Sequence, residues 1–337
     1  MQNTSLGIAG LVGLALLAAP VWAGHHEEAA EAQVEPALIQ TDQFDAWMEA
    51  ASNWGRWGAE DEKGTLNLIT PAKRKAAAAL VQDGTSVSLA VDLNTEKSAI
   101  NFSPFEVKLD LHSLESQEAA SDHQAVSYHG YAHTHIDGMP HFIHKGKMYN
   151  GVPAEVLKPG GAEKLGIENA YEGIFTRGVL VDMAWFYGVD YVTPGKAIMA
   201  EDLEAWEAKT GITLGSGDVL LLRTGRWDYT AEKGATALLQ ATAGLHPSVA
   251  LWLKERDIAV LGSDAISDVL PSRVEGRPNP LHELVLVGLG MLILDNLDLD
   301  GVATAAKERN RWDFLFVGAP LRVPGGTGSP LNPLAIF

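Results

Sequence analysis

Cysteine is absent from all 337 residues, which removes disulfides, a thiol nucleophile and a lipid-modified cysteine from consideration. Packing alone must hold the fold. Basic residues are also scarce: 25 Lys and Arg stand against 43 Asp and Glu, a formal net charge of −18. Phosphate recognition needs clustered cations, so this balance argues against nucleic acid and anionic membrane surfaces as partners. It leaves a small-molecule substrate open. No Gly-x-Ser-x-Gly elbow occurs, which disfavours a serine nucleophile, and no internal repeat emerges. A Gly-Gly-Thr-Gly loop at 325–328 lacks both a lysine and a following helix, so it does not read as a nucleotide site.

At 46% hydrophobic and 20% charged residues, the chain is long enough to bury one large core or two closely packed ones. Residues 1–23 read as a signal peptide. Leu6 to Ala19 is an apolar run broken only by glycine, and Val21-Trp-Ala23 offers a cut after Ala23. The run is short for a membrane span of ~20 residues, so an uncleaved anchor is the lesser reading, although the first residues carry no Lys or Arg. The expectation is a periplasmic or secreted protein with no stable membrane insertion after cleavage. Residues 24–42 read as a flexible linker in which His25 and His26 are solvated, and 43–337 as the folded domain.

Within that domain, Thr70-Pro71 opens a helix running to Val81 with Gly84 as its stop. Ser86 to Asp92 alternates as a strand, and Asn94 to Ser121 reads as a long loop carrying one short strand at Phe105 to Leu111. Buried strands follow at 178–182, 218–225 and 258–262, with helices at 200–209 and 248–255 between them. Apolar strands alternating with helices predict an α/β fold whose sheet is covered on both faces.

Five of the eleven histidines fall within sixteen residues, at His129, His133, His135, His141 and His144, with Asp137 among them. In an extended strand His129, Tyr131, His133, His135 and Asp137 would project from one side. Imidazoles with a carboxylate suit Zn²⁺, Mn²⁺ or Fe²⁺. Pro140 ends the strand, leaving His141 at a turn where it serves as a general acid/base. Elsewhere Arg223 stands at a strand end as either a substrate contact or an ion pair. Asp264 and Ser267 are candidates to orient a ligand histidine. The segment Trp54 to Asn67 reads either as a pocket rim or as a loop clamped by aromatic packing.

The stretch Thr134-His-Ile-Asp137 with His141 resembles the signature His-x-Gly-Thr-His-x-Asp-x-Pro-x-His of the cyclase / kynurenine formamidase superfamily of metal-dependent hydrolases. Tyr131 occupies the first-histidine slot, and Pro140 sits one position late. Longer members carry His-Gly two residues earlier, which gives the first-ligand role to His129 in preference to His133. The Trp54 to Asn67 segment, Lys145 to Gly151 and the 325–330 tail are similar to family segments too.

The resemblance implies a single domain with a mixed, barrel-like sheet flanked by helices, of the swivelling β/β/α type. It implies a divalent metal, Zn²⁺ first and Mn²⁺ second, on His129, His135 and Asp137. His282, heading an apolar helix, and Asp295, after the next strand, join them, with Glu283 as an alternative to the shortened Asp295. The implied activity is hydrolysis of an amide, formamide, cyclic imide or lactone in a small cyclic or aromatic compound, with His141 as general acid/base, in a homo-oligomer. A cyclase or isomerase using the same centre, and a non-catalytic metal- or ligand-binding protein, are the other readings.

Overall fold

The computed structural model describes residues 38–337. The signal-peptide reading over 1–23, His25, His26 and most of the linker reading lie outside the described residues. Helix α1 (Thr41–Ala51) begins two residues ahead of the expected domain boundary at 43, and Ile39 already bridges to Val274. No described helix is long and apolar enough to cross a membrane.

Helix α2 (Pro71–Ala78) starts as its sequence dictates. The Thr70 side chain accepts from the Lys73 amide at 3.2 Å, and Pro71 occupies the first helical position, where no N–H is needed. The main sheet has nine strands: β1 (Ser86–Ser88), β4 (His135–Asp137), β5 (Ile174–Asp182), β6 (Val219–Arg223), β7 (Val260–Ser263), β8 (Leu292–Asp295), β9 (Asp313–Gly318), β10 (Gly328–Pro330) and β11 (Leu334–Ile336). Their spatial order is β1-β11-β9-β5-β6-β7-β8-β4-β10, curled into a half-barrel. The run β5-β6-β7-β8 is parallel, and both flanks are antiparallel. Every residue of β6, Val-Leu-Leu-Leu-Arg, is buried. Strands covered on both faces carry such unbroken apolar runs, whereas a half-exposed strand would alternate.

Helices α3 (Ala200–Thr210), α4 (Arg226–Lys233), α5 (Val249–Glu255) and α6 (Asp300–Arg309) flank this sheet. The apolar segment Glu283–Leu289 is a π-helix, buried along its whole length. It ends at Gly290 with φ 65°, where an added Cβ would lie 2.4 Å from the Tyr149 ring. Only glycine fits both that backbone conformation and that space.

Two expectations are corrected. The predicted strand over Ser86 to Asp92 pairs as a strand over three residues, against β11, with Ala90 adding an isolated bridge to Leu297. The region read as a loop with one short strand is a hairpin, β2 (Glu106–Leu114) with β3 (Gln117–Ala125), joined at Glu115-Ser116. Strand β3, Gln-Glu-Ala-Ala-Ser-Asp-His-Gln-Ala, contains no β-branched or aromatic residue, so propensity could not reveal it. It is a strand because β2 pairs with it.

Candidate metal centre

The site is built on β4. Successive side chains of a strand alternate faces, so His135 and Asp137 project together while Ile136 points into the core, fully buried. Strand β8 places Asp295 directly opposite His135, and β10 places Gly328 opposite Asp137. Directly opposed residues share a face of the sheet, with their Cβ atoms about 5 Å apart. Three carboxylate and imidazole groups are therefore gathered by pairing register alone.

The strand does not extend back to His129, which corrects the expectation that residues 129–137 alternate on one face. Residues 129–132 form a turn. Asn296 Nδ2 donates to the Gly130 carbonyl at 2.7 Å and to the His133 carbonyl at 3.2 Å. The buried Arg226 guanidinium donates to the Tyr131 carbonyl and, at 2.8 Å, to Asn296 Oδ1. Burial pulls the Arg226 pKa down to about 10, still charged at neutral pH. The turn brings His129 back over the site, with Nδ1 2.8 Å from Asp137 Oδ1 and Nε2 3.0 Å from Thr327 Oγ1. His133 faces the other way, into a small separate cavity beside Phe102 and Ser127.

His135 Nδ1 lies 2.8 Å from the His133 carbonyl, which accepts its proton and turns the bare Nε2 toward Asp137, 3.3 Å away. His282 closes the far side. Its Nε2 is 3.5 Å from Asp137 Oδ2 and 3.2 Å from Asp295 Oδ2, and its Nδ1 is 2.5 Å from Asp268 Oδ2. Asp268 also accepts from the Leu281 amide at 2.7 Å, so one carboxylate fixes both the ring and the start of its helix.

His141 follows β4 in a short 3₁₀ turn, with Nε2 3.8 Å from Asp137 Oδ2. Its ring stacks on His129 with centroids 3.8 Å apart and planes within 3°. Burial lowers its pKa to about 4, so the imidazole is neutral at neutral pH.

Electrostatics knit the cluster together. Burial alone would raise the Asp137 pKa, but His135, His129 and His282 outweigh it and hold the carboxyl well below its ordinary value. Burial alone would lower His282, but Asp295, Asp137 and Asp268 raise it well above the ordinary imidazole value. Asp295 is raised, chiefly by burial.

The donor set fits a divalent cation. His129 Nδ1, Asp137 Oδ1 and Asp295 Oδ1 are buried without a well-aligned hydrogen bond, a cost of roughly 1–3 kcal/mol each if nothing binds them. The ligand atoms of His129, Asp137 and His141 lie within 4.8 Å of one another, as do those of His135, Asp137 and Asp295. Asp137 is common to both groups. Nitrogen and carboxylate oxygen without sulfur suit Zn²⁺ or Mn²⁺. Above the cluster opens a cleft of about 160 Å³, walled by Tyr131, Phe142 and Ile266.

Several sequence candidates lie elsewhere. Asp264 does not orient a histidine. It accepts from the amides of Thr224, Gly225 and Arg226 at 2.8–3.1 Å and from Thr224 Oγ1 at 2.8 Å, anchoring the entry to α4. Neither it nor Ser267 hydrogen-bonds to His282, and the carboxylate that does is Asp268. Arg223 is held by Asp182, Asp228 and Asp300, which makes it an ion-pair residue. Glu283 is engaged by Arg277 and His144, both at 2.6 Å, and does not join the ligand groups around Asp137.

The Trp54 to Asn67 segment is a clamped loop and not a wall of the cleft. Trp54 Nε1 donates to the Val287 carbonyl at 2.7 Å, and Asn150 donates to the carbonyls of Gly58, Ala59 and Asp61. Asp268, Asn296, Arg226 and Thr327 were not singled out from sequence. Each acts across at least 13 residues of chain, and no local pattern marks them.

The family model described as "Putative cyclase" matches residues 87–268, just over half of the chain. The isatin hydrolase of Roseibium aggregatum is 30% identical over 154 residues, 42% of this chain and 53% of that protein. The chain thus spans about half the length of the curated relative it matches. A solved structure described as a novel cyclase superposes with TM-score 0.78 at 29% identity, covering 85% of this chain and 99% of that one. Isatin hydrolase A from Labrenzia aggregata, bound to benzyl benzoate, gives TM-score 0.50 at 21% identity, covering 77% and 94%. Its counterpart from Ralstonia solanacearum gives 0.51 at 20%, covering 80% and 98%. At those identities the likeness is one of fold.

Proposed function

The chain belongs to the cyclase family, and from that premise we propose that it is a metal-dependent hydrolase. The bond cleaved is an amide, formamide, cyclic imide or lactone in a small cyclic or aromatic substrate. The observation that carries this reading is the convergence of His129, His135, His141 and His282 on the buried Asp137 carboxylate, with Asp295 across the strand, at the floor of a cleft.

His129, His135, Asp137, His282 and Asp295 would hold a divalent ion, Zn²⁺ or Mn²⁺. When bound, the ion would polarise the scissile carbonyl and bring the pKa of water toward neutrality. The protein's own groups supply the remainder. His141, neutral and at the edge of the cluster, accepts the proton from the attacking water and returns it to the nitrogen or oxygen that leaves as the C–N or C–O bond breaks. Asp268 keeps His282 in one tautomer. Tyr131, Phe142 and Ile266 offer an apolar wall against which a planar ring packs.

The test is turnover of isatin, aryl formamides, cyclic imides and lactones by the wild type and by His141→Ala. We expect products heavier by one water, and a loss of about 10²–10⁴-fold in the variant with metal content unchanged. Undiminished turnover in His141→Ala would refute its role. A product of unchanged mass would assign an isomerase or cyclase instead.

A further inference from the structure

Asn279 stands at the N-cap of the short helix Pro280–His282, and its side chain does not cap it. Asparagine is favoured at that position because its side-chain oxygen accepts from the amide of the second or third helical residue. Here both amides are taken. Pro280 has no N–H, and the next two amides, of Leu281 and His282, donate to Asp268 at 2.7 and 3.3 Å. A carboxylate from another loop thus caps the helix. The Asn279 carboxamide is left without a hydrogen bond among the described residues.

That carboxamide lines the cleft, three residues ahead of His282, which lines it too. Its backbone is not free to turn it away. Pro280 bars the helical conformation at the residue before it, and Asn279 sits outside that conformation at φ −126° and ψ 67°. Outside the His/Asp cluster, Tyr131 is the other cleft-lining side chain with a hydrogen-bonding group. Of the two, the carboxamide alone presents a donor and an acceptor side by side in one plane.

Such an edge has a definite complement. In a ring amide or imide the N–H and a carbonyl oxygen lie on one edge, donor beside acceptor. A carboxamide meets them with its own oxygen and NH₂ in two parallel hydrogen bonds. A lactone offers two acceptors there, so one contact sets acceptor against acceptor whichever way the carboxamide is turned. An open-chain trans formamide carries its N–H and carbonyl on opposite edges and satisfies one contact only.

We propose that Asn279 is a specificity-determining residue that binds the N–H and carbonyl edge of a ring amide or imide and selects that class over lactones and open-chain formamides. The inference rests on the hydrolase reading above and narrows it. Asn279 passes no proton. As the ring opens, the C–N bond breaks, the nitrogen keeps the electron pair, and the proton comes from His141.

Isatin and phthalimide, each beside its N-methyl derivative, test it, because each pair differs at the nitrogen alone. The wild type should favour the N–H compounds by at least about 10²-fold in kcat/KM, since a site built to bond an N–H rejects the analogue that lacks it. Asn279→Leu keeps the volume and removes both hydrogen bonds. It should shrink that preference at least about tenfold, through the N–H compounds, with metal content unchanged. Asn279→Asp is as good a helix cap as asparagine but sets a carboxylate against the substrate carbonyl, so it should lose activity as Asn279→Leu does. Calorimetry with metal-loaded His141→Ala, which lacks the proposed proton carrier, reads the same preference as affinity. Selective binding without turnover by the wild type would sink the hydrolase reading alone. Equal handling of each pair by the wild type, a parallel fall on both members in Asn279→Leu, full activity in Asn279→Asp, or no binding of any of the four compounds would overturn the proposal.

Discussion

Asp295 stands directly opposite His135 in the antiparallel pairing of β8 with β4. Register, and not side-chain length, therefore brings this carboxylate to the cluster, and an aspartate suffices where a strand set further back would need a longer arm. Its Oδ2 meets His282 at 3.2 Å while Oδ1 is left without a partner. Asp295→Asn should lower metal affinity by at least about tenfold. Asp295→Glu pushes the carboxylate beyond the position that the β8/β4 register sets and should not improve on the wild type. Titration of the metal-free proteins with Zn²⁺ measures both.

Asp268 and Asp264 lie four residues apart, are equally buried, and do different work. Asp268 accepts from the His282 ring, so Asp268→Asn should cost about 10–100-fold in metal affinity or activity with the fold intact. Asp264 accepts from three consecutive amides at the start of α4. Asp264→Asn puts a donor against those donors and should cost about 2 kcal/mol or more in stability. Thermal unfolding of the metal-free variants alongside zinc titration separates the two outcomes.

Gly328 lies under the cluster opposite Asp137. A Cβ there would sit 2.4 Å from the Ile136 carbonyl oxygen and 3.2 Å from His129 Cε1. Gly328→Ala should push β10 away from β4, at a cost of about 1–3 kcal/mol, and displace His129. The thermal midpoint and the bound metal should fall together. Retention of both would show that the sheet edge yields without disturbing the site.

How far the sequence foretold this arrangement depends on the range of the interactions. His135, Asp137 and His141 were legible because strand alternation and the proline-ended turn are local. The α/β fold class followed from apolar strands alternating with helices. The place of His129 was given by the family resemblance and not by strand phase, because the turn that returns it depends on Arg226 and Asn296, about a hundred residues or more away. Asp264 was preferred to Asp268 because both follow the same strand. Only the packing of the 280–282 helix start against that loop distinguishes them. The hairpin was half seen, since β2 has strand composition and β3 does not.

We propose that these side chains form a metal centre about Asp137. Elemental analysis of the purified, tag-free protein, with His135→Ala and Asp137→Ala beside it, tests it most directly. About one or two equivalents of Zn or Mn are expected in the wild type, and loss of that metal in both variants. Less than about a tenth of an equivalent in the wild type after metal addition, or full occupancy in either variant, would contradict it.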